Sequence, residues 1–179
     1  MQRVTLKDKT FVPYITSDKI SESVRKMASK LNTDLAEDMP LFLVVLNGSF
    51  MFAADLLKEV TIPCEISFIK LASYHGTSST GTVTEMIGLT EEIKGRTVVV
   101  VEDIVDTGIT LEKLITLLTK KEVKQIKVAS FLLKPDAYKK TMPVDYVGLE
   151  IPNDFVVGYG LDYDGLGRNM KEIFVLEQK

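Results

Sequence analysis

Three acids and a small polar turn stand out for what they could do chemically: Glu102, Asp103 and Asp106, followed by Thr107-Gly108 and Thr110. Carboxylates accept hydrogen bonds from hydroxyls and bind hard cations. Thr107 and Thr110 add hydroxyl donors, and Gly108 lets the backbone pass close to a ligand. Free N–H groups at the start of a helix suit phosphate. Acids packed this closely repel one another unless a cation or a set of hydroxyls compensates them. The plainer reading of any one acid is a solvated turn or cap residue. Three of them directly after Val98-Val-Val-Val101 argue instead for a phosphate-and-ribose site.

A site of this kind needs rigid elements behind it. Four consecutive valines imply a strand buried on both faces, ending at Glu102 and Asp103. Leu111, Leu114, Ile115 and Leu118 recur at helical spacing and predict a helix running to about Lys121. Upstream, Ile20, Val24, Met27, Ala28 and Leu31 form the stripe of a helix capped by Ser17 or Asp18 and ending near Leu35. Leu41 to Leu46 is a second buried strand, Asn47-Gly48-Ser49 a tight turn, and Phe50 to Lys58 a helix. Ile66 to Leu71 and Ile126 to Leu133 are further strands. Tyr146 to Leu149, Phe155 to Gly160 and Ile173 to Leu176 are short extended pieces. Residues 1 to 16 are irregular or edge-like, because Pro13 disfavours a central strand. Strands alternating with helices predict an α/β fold, a mainly parallel sheet flanked by helices. No internal repeat or compositional shift marks a second domain in the 179 residues.

Composition narrows the class. A hydrophobic fraction of 45% and a charged fraction of 26% are those of a globular protein. One cysteine, Cys64, permits no internal disulfide, and with one histidine, His75, it excludes a Cys/His zinc site. The net charge of −3 and pI near 5.3 argue against a general nucleic-acid binder. No signal peptide is legible. The apolar runs fall far short of the roughly 20 residues that span a bilayer. The expectation is a cytoplasmic protein, with neither nucleic acid nor membrane as partner.

Competing motifs fail on their spacing. No Gly-x4-Gly-Lys-Ser/Thr is present, so there is no Walker loop. Gly158-Tyr-Gly160 starts a dinucleotide fingerprint, but Tyr163 stands where the third glycine belongs. Asp162-Tyr-Asp164-Gly165 hints at a calcium loop, but Leu166 and Ile173 occupy positions that need oxygen ligands.

Val98 to Thr110 resembles the phosphoribosyl-diphosphate (PRPP) signature of type I phosphoribosyltransferases. Leu46-Asn-Gly-Ser-Phe-Met-Phe-Ala-Ala-Asp-Leu56, Ser73-Tyr74 with its loop, Lys134, and Phe155-Val-Val-Gly-Tyr-Gly-Leu-Asp-Tyr163 are similar, in order and spacing, to hypoxanthine-guanine phosphoribosyltransferases. The resemblance covers the chain from about Leu41 to its C-terminus. It implies the type I fold: one domain over residues 1–179, with a core at about 38–135 and a small hood from about 1–16 and 136–179.

The resemblance also implies roles. Asp106, Thr107, Gly108 and Thr110 would wrap the 5′-phosphate, and Glu102 and Asp103 would hold the ribose hydroxyls. Asp106 is the implied general base at purine N7. Lys134 would donate to the 6-oxo group, Phe155 would stack on the purine, and the Val156 backbone would read the ring edge. Leu46, Asn47 and Gly48 form the implied pyrophosphate turn, often with a non-proline cis peptide in the family. Asn47 stands where many relatives carry lysine, which puts a side-chain contact from this position in doubt. Ser73 and Tyr74 begin the implied lid over the pyrophosphate, and Arg168 would contact that leaving group. Glu102, Asp103 and Asp162 are the implied Mg²⁺ ligands.

The expected function is purine salvage: Mg²⁺-dependent transfer of the 5-phosphoribosyl group from PRPP to N9 of hypoxanthine or guanine by a homodimer or homotetramer. Two alternatives stand beside it. One is a PRPP-binding, RNA-binding regulator of nucleotide synthesis, against which the acidic pI counts. The other is a phosphoribosyltransferase for xanthine or another base.

Overall fold

The computed structural model describes residues 2–73, 83–87 and 92–178. Its order is β1 (Val4–Leu6), β2 (Lys9–Ile15), α1 (Ser17–Asp34), β3 (Leu41–Val45), α2 (Phe50–Glu59), β4 (Glu65–Ser73), β5 (Val83–Ile87), β6 (Thr97–Val105), α3 (Ile109–Lys120), β7 (Gln125–Leu133), β8 (Tyr146–Glu150), β9 (Val156–Val157) and β10 (Ile173–Leu176). The large sheet has the order β5-β4-β3-β6-β7-β8. Neighbours from β4 through β8 are parallel, and β5 runs antiparallel on the edge.

Alternation along the central strands divides the core. Phe42, Val44, Val99, Val101 and Phe131 pack against α1 and α2 on one face. Leu41, Leu43, Val98, Val100 and Val128 pack against Leu111, Leu114 and Leu118 of α3 on the other. A strand covered on both faces has no polar side to alternate, which is why Val98 to Val101 is continuously apolar. After β3 the chain turns toward β4, and after β6 toward β7. The connections therefore diverge between β3 and β6, and at such a switch point the strand ends leave a crevice.

A second, four-stranded antiparallel sheet has the order β1-β2-β10-β9. It packs around Phe11, Val157 and Phe174. Val4 to Ile15 thus form a hairpin rather than irregular chain. Pro13 is accommodated because β1 pairs only with Lys9 to Phe11, so β2 has one neighbour at Pro13. The β10 register also shifts there, between Ile173 and Phe174, which removes the need for a regular N–H at that position. Tyr146–Glu150, in the span expected for the hood, is the last strand of the large sheet. The cap of α1 is Thr16, just before the expected Ser17 or Asp18; its side chain accepts from the Lys19 N–H at 3.4 Å.

Candidate active site

β6 does not stop at the acids: it continues through Val105, so Glu102 and Asp103 belong to the strand itself. Strand geometry sends their side chains to opposite faces. Glu102 is buried and helps line a cavity of about 100 Å³ with Ile104, Asp106, Thr107, Gly108 and Thr110. Thr107 and Thr110 are exposed around it. Gly108 caps α3 with φ +78°, a left-handed conformation that favours glycine. A side chain there would also strike the Tyr138 ring, 2.4 Å from where its Cβ would sit. The expected phosphate turn is thus a shallow cradle at the helix start.

Asp103 faces the other loop of the crevice. A Cβ on Gly48 would lie 1.5 Å from Asp103 Oδ2, so only glycine lets the turn after β3 come this close. The Leu46–Asn47 peptide in that turn is cis. Leu46 N–H donates to the Ile69 carbonyl at 2.8 Å, tying the turn to β4. Asn47 is exposed. With Leu46, Phe50 and Gly165 to Asn169 it borders an open cavity of about 480 Å³.

Arg168 lines the same cavity. Its guanidinium pairs with Asp162 Oδ1 at 2.7 Å and donates to the Gly160 carbonyl at 2.7 Å. The Gly160 backbone lies against the Gly48 carbonyl. Leu46 to Gly48, Asp103, Asp162 and Arg168 are therefore assembled into one wall.

Burial holds the Glu102 carboxyl well above the usual carboxylate range, and the charge of Asp103 adds to it. Burial likewise raises Asp103, to about 6; backbone N–H groups and the Arg168 cation oppose the shift and Asp162 reinforces it. Two such carboxylates suit a hard cation or sugar hydroxyls. Among the described residues no cluster of three His, Cys, Asp or Glu side chains could hold a metal alone. Glu102, Asp103 and Asp162 do not form a closed cage.

On the other side of the crevice, Lys134 follows β7 and its N–H donates to the Val105 carbonyl at 3.0 Å. It is buried, only 8% exposed, and its ammonium pairs with Asp106 Oδ2 at 2.9 Å. The residues expected to read the purine 6-oxo group and N7 are thus neighbours. Phe155 stands elsewhere, just before β9. Its ring is 41% exposed and meets Phe11, Tyr163 and the Lys9 ammonium. Val156 is buried and pairs with Val175. Ser73 ends β4, while Tyr74 and the rest of the expected lid lie outside the described residues.

Some supporting residues carry no local sequence signal. Tyr159 donates its hydroxyl to Asp55 Oδ2 at 2.9 Å, joining the Gly158-Tyr-Gly160 segment to α2. Burial and the Asp55 carboxylate hold that phenol well above its ordinary range. The two glycines signal only a tight turn in sequence; the partner of Gly160 is a backbone more than half the chain away.

Comparison with known proteins agrees with this geometry. Residues 15–164 match the phosphoribosyl transferase domain family. A hypoxanthine-guanine phosphoribosyltransferase of Streptococcus pneumoniae is 39% identical over 166 residues, covering 92% of both chains. One from Bacillus subtilis is 37% identical over 164 residues, covering 91% of both. The crystal structure of a hypoxanthine-guanine phosphoribosyltransferase from Bacillus anthracis superposes with a TM-score of 0.86 at 34% identity, over 93% of this chain and 98% of that one. The chain belongs to the phosphoribosyltransferase family, among its hypoxanthine-guanine members, and is a transferase.

Proposed function

We propose that the protein transfers the 5-phosphoribosyl group of PRPP to N9 of hypoxanthine or guanine, releasing pyrophosphate and giving IMP or GMP in cytoplasmic purine salvage. The observation that carries this reading is the Lys134–Asp106 pair beside the phosphate turn. A 6-oxopurine presents O6 and N7 side by side on one edge. An ammonium donates to O6, and the adjacent carboxylate accepts from N7–H. An adenine amino group would instead meet a donor, leaving the buried Lys134 ammonium without an acceptor on the base.

Each residue has a task in the mechanism. The Asp106 to Thr110 turn holds the 5′-phosphate by N–H and hydroxyl donors at the start of α3. Glu102 and Asp103 accept from the ribose hydroxyls. The turn at Leu46 to Gly48, with Arg168, receives the pyrophosphate as its bond to ribose C1 breaks. N9 attacks C1, and Asp106 takes the N7 proton that the bond formation makes acidic. Lys134 stabilises the charge that builds on O6, and Phe155 with the Val156 backbone orients the ring. Ser73 and Tyr74 would help close the site against water.

Mg²⁺ fits the donor set of Glu102, Asp103 and Asp162. This ion binds through one or two carboxylates plus substrate phosphates rather than in a dedicated protein cage, and supplies neutralisation of the diphosphate. Homodimer or homotetramer formation has support in Ile66 and Phe68, apolar residues 46% and 45% exposed on one face of β4. Light scattering of Phe68→Asp tests it: a smaller species than the parent is expected, and an unchanged mass contradicts it.

The reaction is tested by initial rates with PRPP, Mg²⁺ and a panel of hypoxanthine, guanine, xanthine, adenine and uracil. Hypoxanthine and guanine should be consumed with one pyrophosphate released per nucleotide. Turnover of uracil or adenine alone would reject the proposal.

A further inference from the structure

The segment carrying Phe155 is gripped by the N-terminal hairpin, and one of the gripping residues is a cation that the mechanism above does not use. Lys9 opens β2 and Phe11 follows two positions on, so the pleat places both side chains on one face. The buried Phe11 ring lies 6.1 Å from both Phe155 and Tyr163, which meet each other edge to face at 5.9 Å. The Lys9 ammonium lies over the same two rings, 4.7 Å from the centre of Tyr163 and 5.4 Å from that of Phe155. The hairpin turn completes the grip: Tyr163 donates its hydroxyl to Asp8 at 2.7 Å, and Lys7 pairs with Asp164. Lys9 itself forms no salt bridge among the described residues; its ammonium lies over the rings and, at longer range, favours the ionised Asp8 carboxylate.

We infer that Lys9 is a positioning residue for the purine, fixing the Phe155 ring through its ammonium–aromatic contacts with Phe155 and Tyr163. The inference rests on Phe155 being the stacking platform. A partly exposed phenylalanine held only by its own backbone would lose side-chain freedom each time a base docks. A cation drawn to the negative ring faces removes part of that freedom beforehand. The effect falls on the base alone, because the proposed holder of the sugar phosphate, the turn at Asp106 to Thr110, shares none of these contacts.

Steady-state kinetics of Lys9→Met, Lys9→Arg, Phe155→Ala and the Lys9→Met/Phe155→Ala pair, with hypoxanthine and PRPP varied separately, test this. Lys9→Met, which keeps the apolar stem, should raise the hypoxanthine KM about two- to fivefold. The PRPP KM, kcat and Tm should stay unchanged, and Lys9→Arg should keep the parent KM. Phe155→Ala should raise the hypoxanthine KM further, and Lys9→Met should add nothing in that background. An unchanged KM for Lys9→Met beside a raised one for Phe155→Ala overturns the role of Lys9 and leaves the platform standing. If Phe155→Ala also changes nothing, the platform reading falls and the inference with it. Parallel loss of kcat, both KM values and Tm in Lys9→Met would mean a merely structural lysine, and would overturn it too.

Discussion

The turn after β6 and the segment around Phe155 prepare for their ligands by different means. At Asp106 to Thr110 the proposed receptor is the chain itself: consecutive N–H groups, two hydroxyls and a left-handed glycine at the start of α3. Around Phe155 the proposed receptor is a side chain, propped by the Phe11 ring and the Lys9 ammonium of β2 and by Tyr163. The first region is fixed by local backbone geometry, the second by contacts within the four-stranded sheet that bring β2 against the segment around β9. Substitutions in the first should therefore cost PRPP handling or chemistry, and those in the second should cost base recognition.

The largest effect is expected in the first region. Asp106→Asn keeps the shape but cannot take a proton, so kcat should fall by roughly 10²–10⁴-fold with little change in PRPP affinity. Rapid-quench or steady-state rates check this, and survival within about twofold removes Asp106 as the base. Gly48→Ala attacks the backbone-built side, since the new methyl and the Asp103 carboxylate cannot share one place. A displacement of about 1 Å can cost on the order of 10²-fold, and here kcat/KM for PRPP should carry it. Lys134→Ala should raise the base KM roughly 10- to 100-fold, the range of a hydrogen bond to a charged group. An unchanged base KM would take Lys134 out of the pocket.

The smallest effect is a pH dependence. Asp103 is raised to about 6 in the fold, above its ordinary value of 3.8, so the folded state binds that proton more tightly than the unfolded chain. Its contribution therefore destabilises the free protein progressively as pH rises from about 4 through 6. Asp103→Asn should raise the Tm of the free protein at pH 7.5 by several degrees, with roughly half that gain at pH 5. Thermal melts at both values check this. The same proton competes with Mg²⁺ and PRPP, so their affinity should fall below pH 6 in the parent. Equal Tm gains at both pH values would contradict the buried-charge explanation.

What could be seen in the sequence follows the same division. The acid-rich turn is contiguous, so the candidate phosphate site at Glu102 to Thr110 can be proposed from the residues alone. The parallel sheet is legible too, because strands buried on both faces leave apolar runs at Leu41 and Val98. The end of β6 is less so: the acids suggest a strand end, but the strand pairs with β7 through Val105, with Glu102 opposite Ser130. Pro13 hides β2, because its tolerance depends on where β1 stops and β10 slips. Lys9 and Phe11 carry no signal at all, since their partners lie near the opposite end of the chain. Asp55 is silent for the same reason; its carboxylate gains meaning only when Tyr159 reaches it.

Whether the Lys134–Asp106 pair reads a 6-oxopurine is tested most directly by the ratio of kcat/KM for hypoxanthine to that for adenine, in the parent and in Lys134→Gln. A glutamine amide offers an acceptor as well as donors, so it can meet either base. The parent should prefer hypoxanthine by orders of magnitude, on the scale of about 10⁴-fold for a site built to pair a polar group. Lys134→Gln should lower that ratio at least about tenfold, the equivalent of 1.4 kcal/mol. A parent that uses adenine as readily as hypoxanthine, or a variant with the parent's ratio, would contradict the account.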